Sequence, residues 1–510
     1  MTKISPTADL NARAIIDGYT SGSSPQVAGM VYTAVDKSGD IIFSHASGKV
    51  GLNESSPMTL DTIFWLASCT KLITSIACMQ LVESGVLNLD DSDQVEALAP
   101  ELEAVQVLER CPSGGFTFVP KQRSITLRML LNHTSGFGYA FEDFKLRDWS
   151  RPVGLDDFSG DVNDVLMRPL VNQPGTKFQY GVGLDWAGTL VERVSGISLE
   201  DYFQAFILKP LGIDNISFFP TPEMKRDLAY MHRRAKDGSL SVIDHLYRTP
   251  LLPKSEKEKD PFCMGGAGCF GKPVQFCRII ATMLNDGVSP NTGAKLLRPE
   301  TVKEMFTDQI PTMPRYCNLY TPAGKAELAN STPLVPCPDD MTEGWGLYFS
   351  LSHTQSDTGR AAGSGSWEGL ANLFWFADRE NGIGSLVASQ ILPYGDEKLI
   401  GCSESVEKTL YDEIFKSQGT APHEFSNCSK FANFDESNRI RTLASGLRIY
   451  GRFDSSKFAN FEQVRELISS LFRKKGFVEP VFEMPGPTRI LLQTRSRISN
   501  TGMPKKGITV

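Results

Sequence analysis

Long hydrophobic runs are absent from the sequence. No segment reaches the stretch of about 18 apolar residues that a transmembrane helix needs, and residues 1–24 contain Asp9, Arg13 and Asp17 instead of the apolar core of a signal peptide. An excess of positive charge is also absent, since the net charge is −7, which gives no electrostatic basis for binding nucleic acid. We therefore expect a soluble, cytoplasmic protein with neither a membrane nor nucleic acid as a partner.

Several catalytic signatures are missing as well. The sequence contains no Gly-x-Ser-x-Gly elbow and no His-Glu-x-x-His zinc helix, and the glycines between residues 265 and 271 lack the Lys-Ser or Lys-Thr of a phosphate loop. The 10 cysteines show no tight spacing, which in a cytosolic chain favours reduced, partly buried thiols over disulfides. We expect no metal, redox group or other cofactor.

Hydrophobic patterns at the two ends of the chain indicate an α/β fold. At 510 residues the chain is long enough for two or three structural units. Helical spacing over residues 8–18 is followed by strand-like runs on either side of the turn at 37–40, a pattern typical of a β-hairpin. The predicted strands and the closing helix are 26–35, 41–47, 346–352, 372–377 and 384–391, with the helix over 402–416.

The middle of the chain has a different pattern of hydrophobic residues. Residues 86–340 contain helical stretches such as 126–132, 184–194 and 274–285, separated by connections rich in Pro and Gly. We predict a first domain over residues 8–417. Its α/β part is formed by 8–85 and 341–417 and carries a large, mostly helical inserted unit over 86–340.

Residues 418–510 are predicted to form a separate extension. Lys and Arg outnumber Asp and Glu there, whereas the rest of the chain is acidic. The sequence SKFANF at 429–434 recurs at 456–461, and residues 463–473 are a candidate helix. Two short copies are too few for a solenoid. We predict a partly disordered appendage, for which binding of a protein partner is one hypothesis.

The sequence Ser68-Cys69-Thr70-Lys71 begins an apolar, helical run and suggests a serine nucleophile. Residues i and i+3 of a helix share one face, so the Lys71 ammonium can reach the Ser68 hydroxyl, which needs an adjacent base to take its proton. Cys69 would point about 100° away from Ser68, and we interpret it as a packing residue. Because such a pair also arises by chance, the motif requires partners elsewhere.

Two further segments supply candidate partners. Tyr180 precedes a predicted helix, and a nearby lysine ammonium is expected to lower the pKa of its phenol; the alternative is an ordinary half-buried tyrosine. The segment 365–370 (GSWEGL) precedes a predicted strand, where glycines let a substrate approach the backbone and a free N–H can hold an oxyanion. His133 is interpreted as a structural hydrogen-bonding residue.

In this order, the three segments resemble the serine β-lactamase and penicillin-binding-protein superfamily. Further stretches across residues 8–417 resemble its class C-related esterase and transesterase group. They are 64–71 (FWLASCTK), 85–91 (GVLNLDD), 126–136 (TLRMLLNHTSG), 265–268 (GGAG) and 283–287 (MLNDG). The resemblance implies a β-lactamase-like α/β fold, an antiparallel sheet flanked by helices.

Departures from the lactamase pattern narrow the function. Trp367-Glu368-Gly369 stands where lactamases have Lys-Thr-Gly, so the cation that would bind a β-lactam carboxylate is missing and antibiotic hydrolysis is disfavoured. Tyr180-Gly181-Val182 also lacks the usual asparagine at its third place. The sequence YGVGLDW at 180–186, together with the Trp-x-Gly strand, resembles fungal acyltransferases of the lovastatin type, which esterify polyketide alcohols, and related carboxylesterases.

The resemblance implies roles for individual residues. Ser68 would be the acylated nucleophile, with Lys71 and Tyr180 sharing the acid and base work. The backbone N–H groups of Ser68 and Leu370 would form the oxyanion hole, Trp367 would wall the acyl or acceptor pocket, and Glu368 and Gly369 would also bind substrate.

The leading hypothesis is a serine acyltransferase. It would move an acyl group from a thioester (coenzyme A or carrier-protein-bound) or ester donor to an alcohol of a polyketide- or terpenoid-type secondary metabolite. A carboxylesterase or lactone hydrolase with the same acyl-enzyme is the alternative, because the two differ only in whether an alcohol or water attacks. A non-catalytic binding protein that retains the fold is a third reading.

Overall fold

The computed structural model describes residues 4–252, 262–314, 316, 320–334 and 341–417, together with the backbone of four short strands between 442 and 494. The chain divides into two compact units, Met1–Asn427 and Cys428–Val510. In the second unit, two antiparallel strand pairs are described. The predicted helix over 463–473 and the repeat at 429–434 and 456–461 lie outside the described residues.

Helices occupy both ends and the middle of the first unit. A 3-10 turn over Ala67–Cys69, a π-helical segment over Gln204–Leu208 and a 3-10 turn over Thr249–Leu251 accompany them. The α-helices are α1 (Pro6–Thr20), α2 (Thr70–Glu83), α3 (Ser92–Leu98), α4 (Pro100–Ala104), α5 (Leu127–Leu131), α6 (Phe144–Trp149), α7 (Val162–Leu166), α8 (Gly183–Ser195), α9 (Leu199–Phe203), α10 (Pro222–Arg226), α11 (Pro273–Leu284), α12 (Pro299–Met305) and α13 (Glu397–Ser417).

The described strands comprise longer ones near the two ends of the first unit, shorter ones between them, and four in the second unit. They are β1 (Gly29–Asp36), β2 (Ile41–Gly48), β3 (Phe64–Trp65), β4 (Gln106–Arg110), β5 (Phe116–Pro120), β6 (Ile216–Ser217), β7 (Met231–Arg234), β8 (Leu240–Ile243), β9 (Phe270–Gly271), β10 (Glu343–Trp345), β11 (Ser350–Ser352), β12 (Gly365–Gly369), β13 (Leu373–Asp378), β14 (Ile383–Ala388), β15 (Ile391–Leu392), β16 (Thr442–Ala444), β17 (Leu447–Ile449), β18 (Pro480–Glu483) and β19 (Leu491–Thr494).

A seven-stranded antiparallel sheet joins the two ends of the first unit. Its strand order is β10-β11-β12-β13-β14-β1-β2, so strands from the N-terminal hairpin pair with strands more than 300 residues later, as in the register Val31 with Ala388. The hairpin of β1 and β2 confirms the prediction made from the turn at 37–40. The α/β fold with a sheet split between the chain ends is therefore confirmed.

Helices cover both faces of this sheet. On one face, α1 and α13 pack against alternate side chains of the strands, including Tyr32 and Phe376, with Ile16 and Val406 buried between them. The other face carries the larger core, into which α2, α8 and α11 pack. Because successive strand residues point to opposite faces, each strand of the central sheet contributes to both cores.

The structure corrects two details of the predicted elements. The single strand predicted over 346–352 is interrupted: β10 and β11 pair with each other, and the residues between them turn, with Tyr348 at φ 95°. The region 86–340 carries α3 to α12, but it also contains the hairpins β4–β5 and β7–β8. In both hairpins the chain reverses over a short turn that includes glycine at positive φ, such as Gly114 and Gly238.

Neither a membrane-spanning helix nor a disulfide occurs in the described part of the chain. None of the helices there combines the length and the apolar character needed to cross a bilayer. The described cysteines are free thiols, and most of them are buried.

Candidate active site

Ser68 lies on a short turn that its neighbours hold rigidly. The 3-10 turn over Ala67–Cys69 leads into α2, and Ala67 adopts a φ of 46°, a left-handed conformation that costs free energy for a residue with a side chain. The Leu66 N–H donates to the Cys269 carbonyl at 2.8 Å, and the Cys269 N–H donates to the Thr70 hydroxyl at 3.0 Å. The turn is thus anchored on both sides of Ser68 to one residue of a distant segment.

Lys71 joins the predicted nucleophile to the predicted tyrosine. Its Nζ lies 2.9 Å from Ser68 Oγ, 2.7 Å from Tyr180 OH and 2.7 Å from the Gly266 carbonyl oxygen. The side chain is fully buried. Burial lowers the pKa of Lys71 to about 7, although the nearby Asp185 carboxylate acts in the opposite direction. Near neutral pH a substantial fraction of this lysine is therefore an uncharged amine.

Tyr180 is enclosed by aromatic side chains. Trp367 donates a hydrogen bond from Nε1 to Tyr180 OH at 3.0 Å, and the two ring centroids lie 5.0 Å apart. The rings of His133 and Tyr139 lie 4.6 Å and 5.3 Å from that of Tyr180. Burial raises the pKa of Tyr180 well above its usual value, while hydrogen bonds from Ser68 and Trp367 lower it. The expectation of a lowered pKa is wrong, because burial outweighs the stabilising contacts.

The third predicted segment lies on β12 and contacts the candidate site through Trp367 and Gly369. Trp367 faces Tyr180, and a side chain at Gly369 would approach the Leu66 carbonyl oxygen to 2.9 Å, so the strand backbone packs against the turn that carries Ser68. Leu370 follows directly after the strand and is buried.

Glu368 on the same strand has a different hydrogen-bond partner. It pairs across the sheet with Phe374, whose ring packs into the core between α1 and α13, and its carboxylate accepts a hydrogen bond from Tyr394 OH. Burial, together with the nearby Glu343, raises the pKa of Glu368 to about 7. The Glu368 charge raises the pKa values of Cys69, next to Ser68, and of Tyr348, and its role in substrate binding stays a prediction.

Two acidic residues near Lys71 received no role from the sequence. Asp185, on the first turn of α8, is fully buried, and its Oδ1 accepts a hydrogen bond from the Gly266 N–H at 2.8 Å. Glu142 follows the loop after α5, and burial raises its pKa to about 8 while Lys71 lowers it. The quoted motif at 180–186 contains Asp185, but only the fold brings it to a residue 81 positions away.

His133 supports the site through its backbone and ring. It adopts a φ of 58°, and its carbonyl accepts a hydrogen bond from the Gln179 N–H at 2.8 Å, next to Tyr180. Burial, together with the charge of Lys71, lowers the pKa of His133 well below its usual value, so the ring is neutral. This geometry agrees with a structural role, but the hydrogen bond described is made by the backbone, and the ring Nε2 has no partner among the described residues.

Acidic and thiol side chains in the described residues form no metal-binding cluster. No group of three or more His, Cys, Asp or Glu residues is arranged there to hold a metal ion. The site itself links a hydroxyl, an amine and a phenol in one chain of hydrogen bonds, a set suited to transferring a proton during attack by serine.

The relatives of this chain include fungal acyltransferases and an esterase. The chain is 32% identical over 400 residues to monacolin J acid methylbutanoyltransferase of Aspergillus terreus, covering 76% of this chain and 92% of that protein. It is also 32% identical over 406 residues to lovastatin esterase of Penicillium rubens, covering 76% and 94%. These relatives confirm the predicted similarity to lovastatin-type acyltransferases and esterases.

A solved structure and a family model agree with these relatives. Unliganded simvastatin synthase from Aspergillus terreus superposes with a TM-score of 0.66 at 28% identity, covering 80% of this chain and 99% of that one. The family model described as Beta-lactamase matches residues 13–400, a span that contains every residue of the candidate site. The protein therefore belongs to the Beta-lactamase family.

Proposed function

We propose that the protein is a serine acyltransferase. It moves an acyl group from a thioester or ester donor, through an ester on Ser68, to an alcohol of a polyketide- or terpenoid-type metabolite. The observation that carries the proposal is the unbroken chain of hydrogen bonds from Ser68 through Lys71 to Tyr180 and on to Trp367. The transferase names of relatives that align over most of the chain support the same reaction class.

In the first step, the neutral amine of Lys71 takes the proton of Ser68 while Oγ attacks the carbonyl carbon of the donor. Lys71 is assigned as the base because burial lowers its pKa to about 7 and raises that of Tyr180. The C–S or C–O bond of the donor then breaks. Tyr180 gives its phenolic proton to the departing atom and recovers one from the Lys71 ammonium, which leaves an ester on Ser68, a free thiol or alcohol, and a neutral amine.

In the second step, the acceptor alcohol attacks the carbonyl carbon of the Ser68 ester. Its proton passes through Tyr180 to the Lys71 amine, the bond from the acyl carbon to Oγ breaks, and Ser68 takes the proton back from the ammonium. The N–H groups of Ser68 and Leu370 hold the oxyanion in both steps, and loss of one such donor typically costs about 10²–10³ in rate. Trp367 walls the pocket beside Tyr180.

We also assign the acyl donor, a role for residues 418–510 and the compartment of the reaction. The donor is a thioester on coenzyme A or on a carrier protein, or a simple ester, since all present the same carbonyl to Ser68. Residues 418–510 are assigned to binding a protein partner because of their basic character. The reaction is assigned to the cytoplasm because the described cysteines, most of them buried, are free thiols.

An esterase is the second candidate, favoured by one observation. Lovastatin esterase shows the same 32% identity to this chain as the methylbutanoyltransferase does. In an esterase, water would replace the acceptor alcohol in the second step. Offering the isolated acyl-enzyme both water and candidate alcohols separates the two, because predominantly free acid under every condition would exclude the transferase.

The acyl-enzyme is tested by intact-mass measurement after incubation with a chromogenic ester and with a fluorophosphonate. Ser68→Ala should neither gain the acyl mass nor release the chromophore. Ser75→Ala is the matched control, because Ser75 lies on the same helix but donates its hydroxyl to the Leu347 carbonyl at 2.9 Å. If Ser68 of the wild-type protein is never labelled, the proposal is refuted and the hypothesis of a non-catalytic binding protein remains.

A further inference from the structure

The Asp185 carboxylate meets the candidate site through a single residue, Gly266. Its Oδ1 accepts from the Gly266 N–H at 2.8 Å, and the carbonyl of the same residue accepts from Lys71 Nζ at 2.7 Å. A side chain at Gly266 would come within 2.3 Å of Asp185 Oδ2. The glycine therefore lets the carboxylate lie directly against the backbone that binds Lys71.

Among the described residues, only one of the two oxygens of the buried Asp185 carboxylate has a hydrogen-bond partner. It has no exposed surface, and its Oδ2 makes no hydrogen bond to any described residue. An ionised carboxylate in such a place is costly unless a positive charge lies nearby. Lys71 and Arg168 are the positive groups that stabilise its charged form, whereas burial raises the pKa of Asp185.

The titratable groups around the pair come from several elements. Three groups raise the pKa of Lys71, namely Asp185 on α8, Glu142 from the segment after α5, and Cys69 on the turn before α2. The charge of Lys71 in turn lowers the pKa of His133. Tyr139 and Tyr247, both phenols, face Asp185. Among the acids that favour the ammonium form of Lys71, Asp185 has the largest effect.

We propose that Asp185 is a positioning residue of this site, which holds the backbone of Gly266 against Lys71. The inference rests on the proposed function, since it assigns Asp185 to the base of that reaction. The backbone bond orients the amine between Ser68 and Tyr180, and the negative charge favours the ammonium. Asp185 touches no reacting atom.

Asp185→Asn tests the role of the charge. The Asn Oδ1 can still accept from the Gly266 N–H, while the charge is lost. We expect the acidic limb of kcat/KM for a chromogenic ester, which reports the proton on Lys71, to move to lower pH by about one unit or more. The plateau of kcat should also fall, with KM within about twofold, because a neutral amide oxygen accepts the Gly266 bond more weakly than a carboxylate and orients the amine less firmly, while substrate contacts are unchanged.

Glu192→Gln is the matched control. Glu192 lies on the same helix, is largely buried and accepts a backbone N–H, that of Leu199, at 2.8 Å, but it is not among the charges that act on Lys71. Its pH profile should match that of the wild type. An Asp185→Asn profile with the wild-type midpoint, or one moved to higher pH, would overturn the inference.

Gly266→Ala tests the positioning without removing the charge, and it decides the matter if Asp185→Asn does not fold. The added methyl group must displace either the carboxylate or the peptide, and we expect kcat to fall about 10- to 100-fold with little change in KM. A folded Gly266→Ala protein with wild-type kcat would overturn the inference. Failure of wild-type Ser68 to be labelled would instead refute the proposed function, so the two failures are distinguishable.

Discussion

The hydrogen bond from Trp367 to Tyr180 offers a sharp test of the site. Trp367→Phe removes the indole N–H, which lies 3.0 Å from Tyr180 OH, and keeps most of the ring packed at 5.0 Å. A hydrogen bond to a neutral group contributes about 0.5–1.5 kcal/mol, and one to a charged group about 1.5–3 kcal/mol. Because the Tyr180 oxygen gains negative charge only while it passes a proton, the difference of about 1–1.5 kcal/mol appears in kcat, as a loss of about five- to tenfold.

Stopped-flow release of the chromophore from an activated ester measures this loss in the acylation step. Trp345→Phe is the matched control, because its ring lies 4.5 Å from that of Trp367 while its own N–H has no partner among the described residues. Both variants remove an indole from the same cluster, so thermal unfolding should report similar packing losses. An equal fall in kcat for both variants, or none for Trp367→Phe, would refute the role of the hydrogen bond.

Three further results are expected. Wild-type acylation should rise with pH and level off above about 7, because the amine of Lys71 is the active form; a rate that falls over this range would contradict the assignment of the base. The wild type should lose stability as the pH rises from about 4.5 to 7, because the pKa of Glu368 is raised to about 7 and only its neutral form stabilises the fold. Glu368→Gln should not show this loss. Denaturant titrations in which the free energy of unfolding changes equally with pH for both proteins would count against this expectation. Arg168→Met should lower the free energy of unfolding by about 3–5 kcal/mol, since it leaves the Asp157 carboxylate unpaired where both side chains are fully buried, and a loss below about 1 kcal/mol in urea titration would be inconsistent with this pairing.

Local spacing explains what the sequence could predict. Ser68 and Lys71 are three residues apart at the start of a helix, so their contact requires almost nothing of the remaining fold. The hairpin of β1 and β2 likewise depends on a turn of four residues and on alternation beside it. Tyr180 and Trp367 could be grouped with Ser68 only through the resemblance to a family, because 187 residues separate them from each other.

Burial and distant contacts explain what the sequence could not predict. The Gly266 carbonyl that binds Lys71 lies 195 residues from it, and no spacing rule connects the two. The pKa of Tyr180 was predicted with the wrong sign, because a motif reveals the neighbouring lysine but not the surrounding aromatic rings that exclude water. Glu368 adjoins Trp367 in sequence yet pairs across the sheet with Phe374 and accepts a hydrogen bond from Tyr394, contacts that the sequence alone does not reveal.

The tryptophan at residue 367 also bears on the choice between alcohol and water. A lysine there would bring a second ammonium towards an oxygen that Lys71 already binds, and it would carry its own hydration. Trp367 instead donates one neutral hydrogen bond, and its ring packs with those of Tyr180 and Trp345. An apolar wall excludes water and strengthens the remaining polar contacts. We therefore expect the Ser68 ester to survive long enough for an alcohol to displace it, and Trp367→Lys to raise the ratio of hydrolysis to transfer.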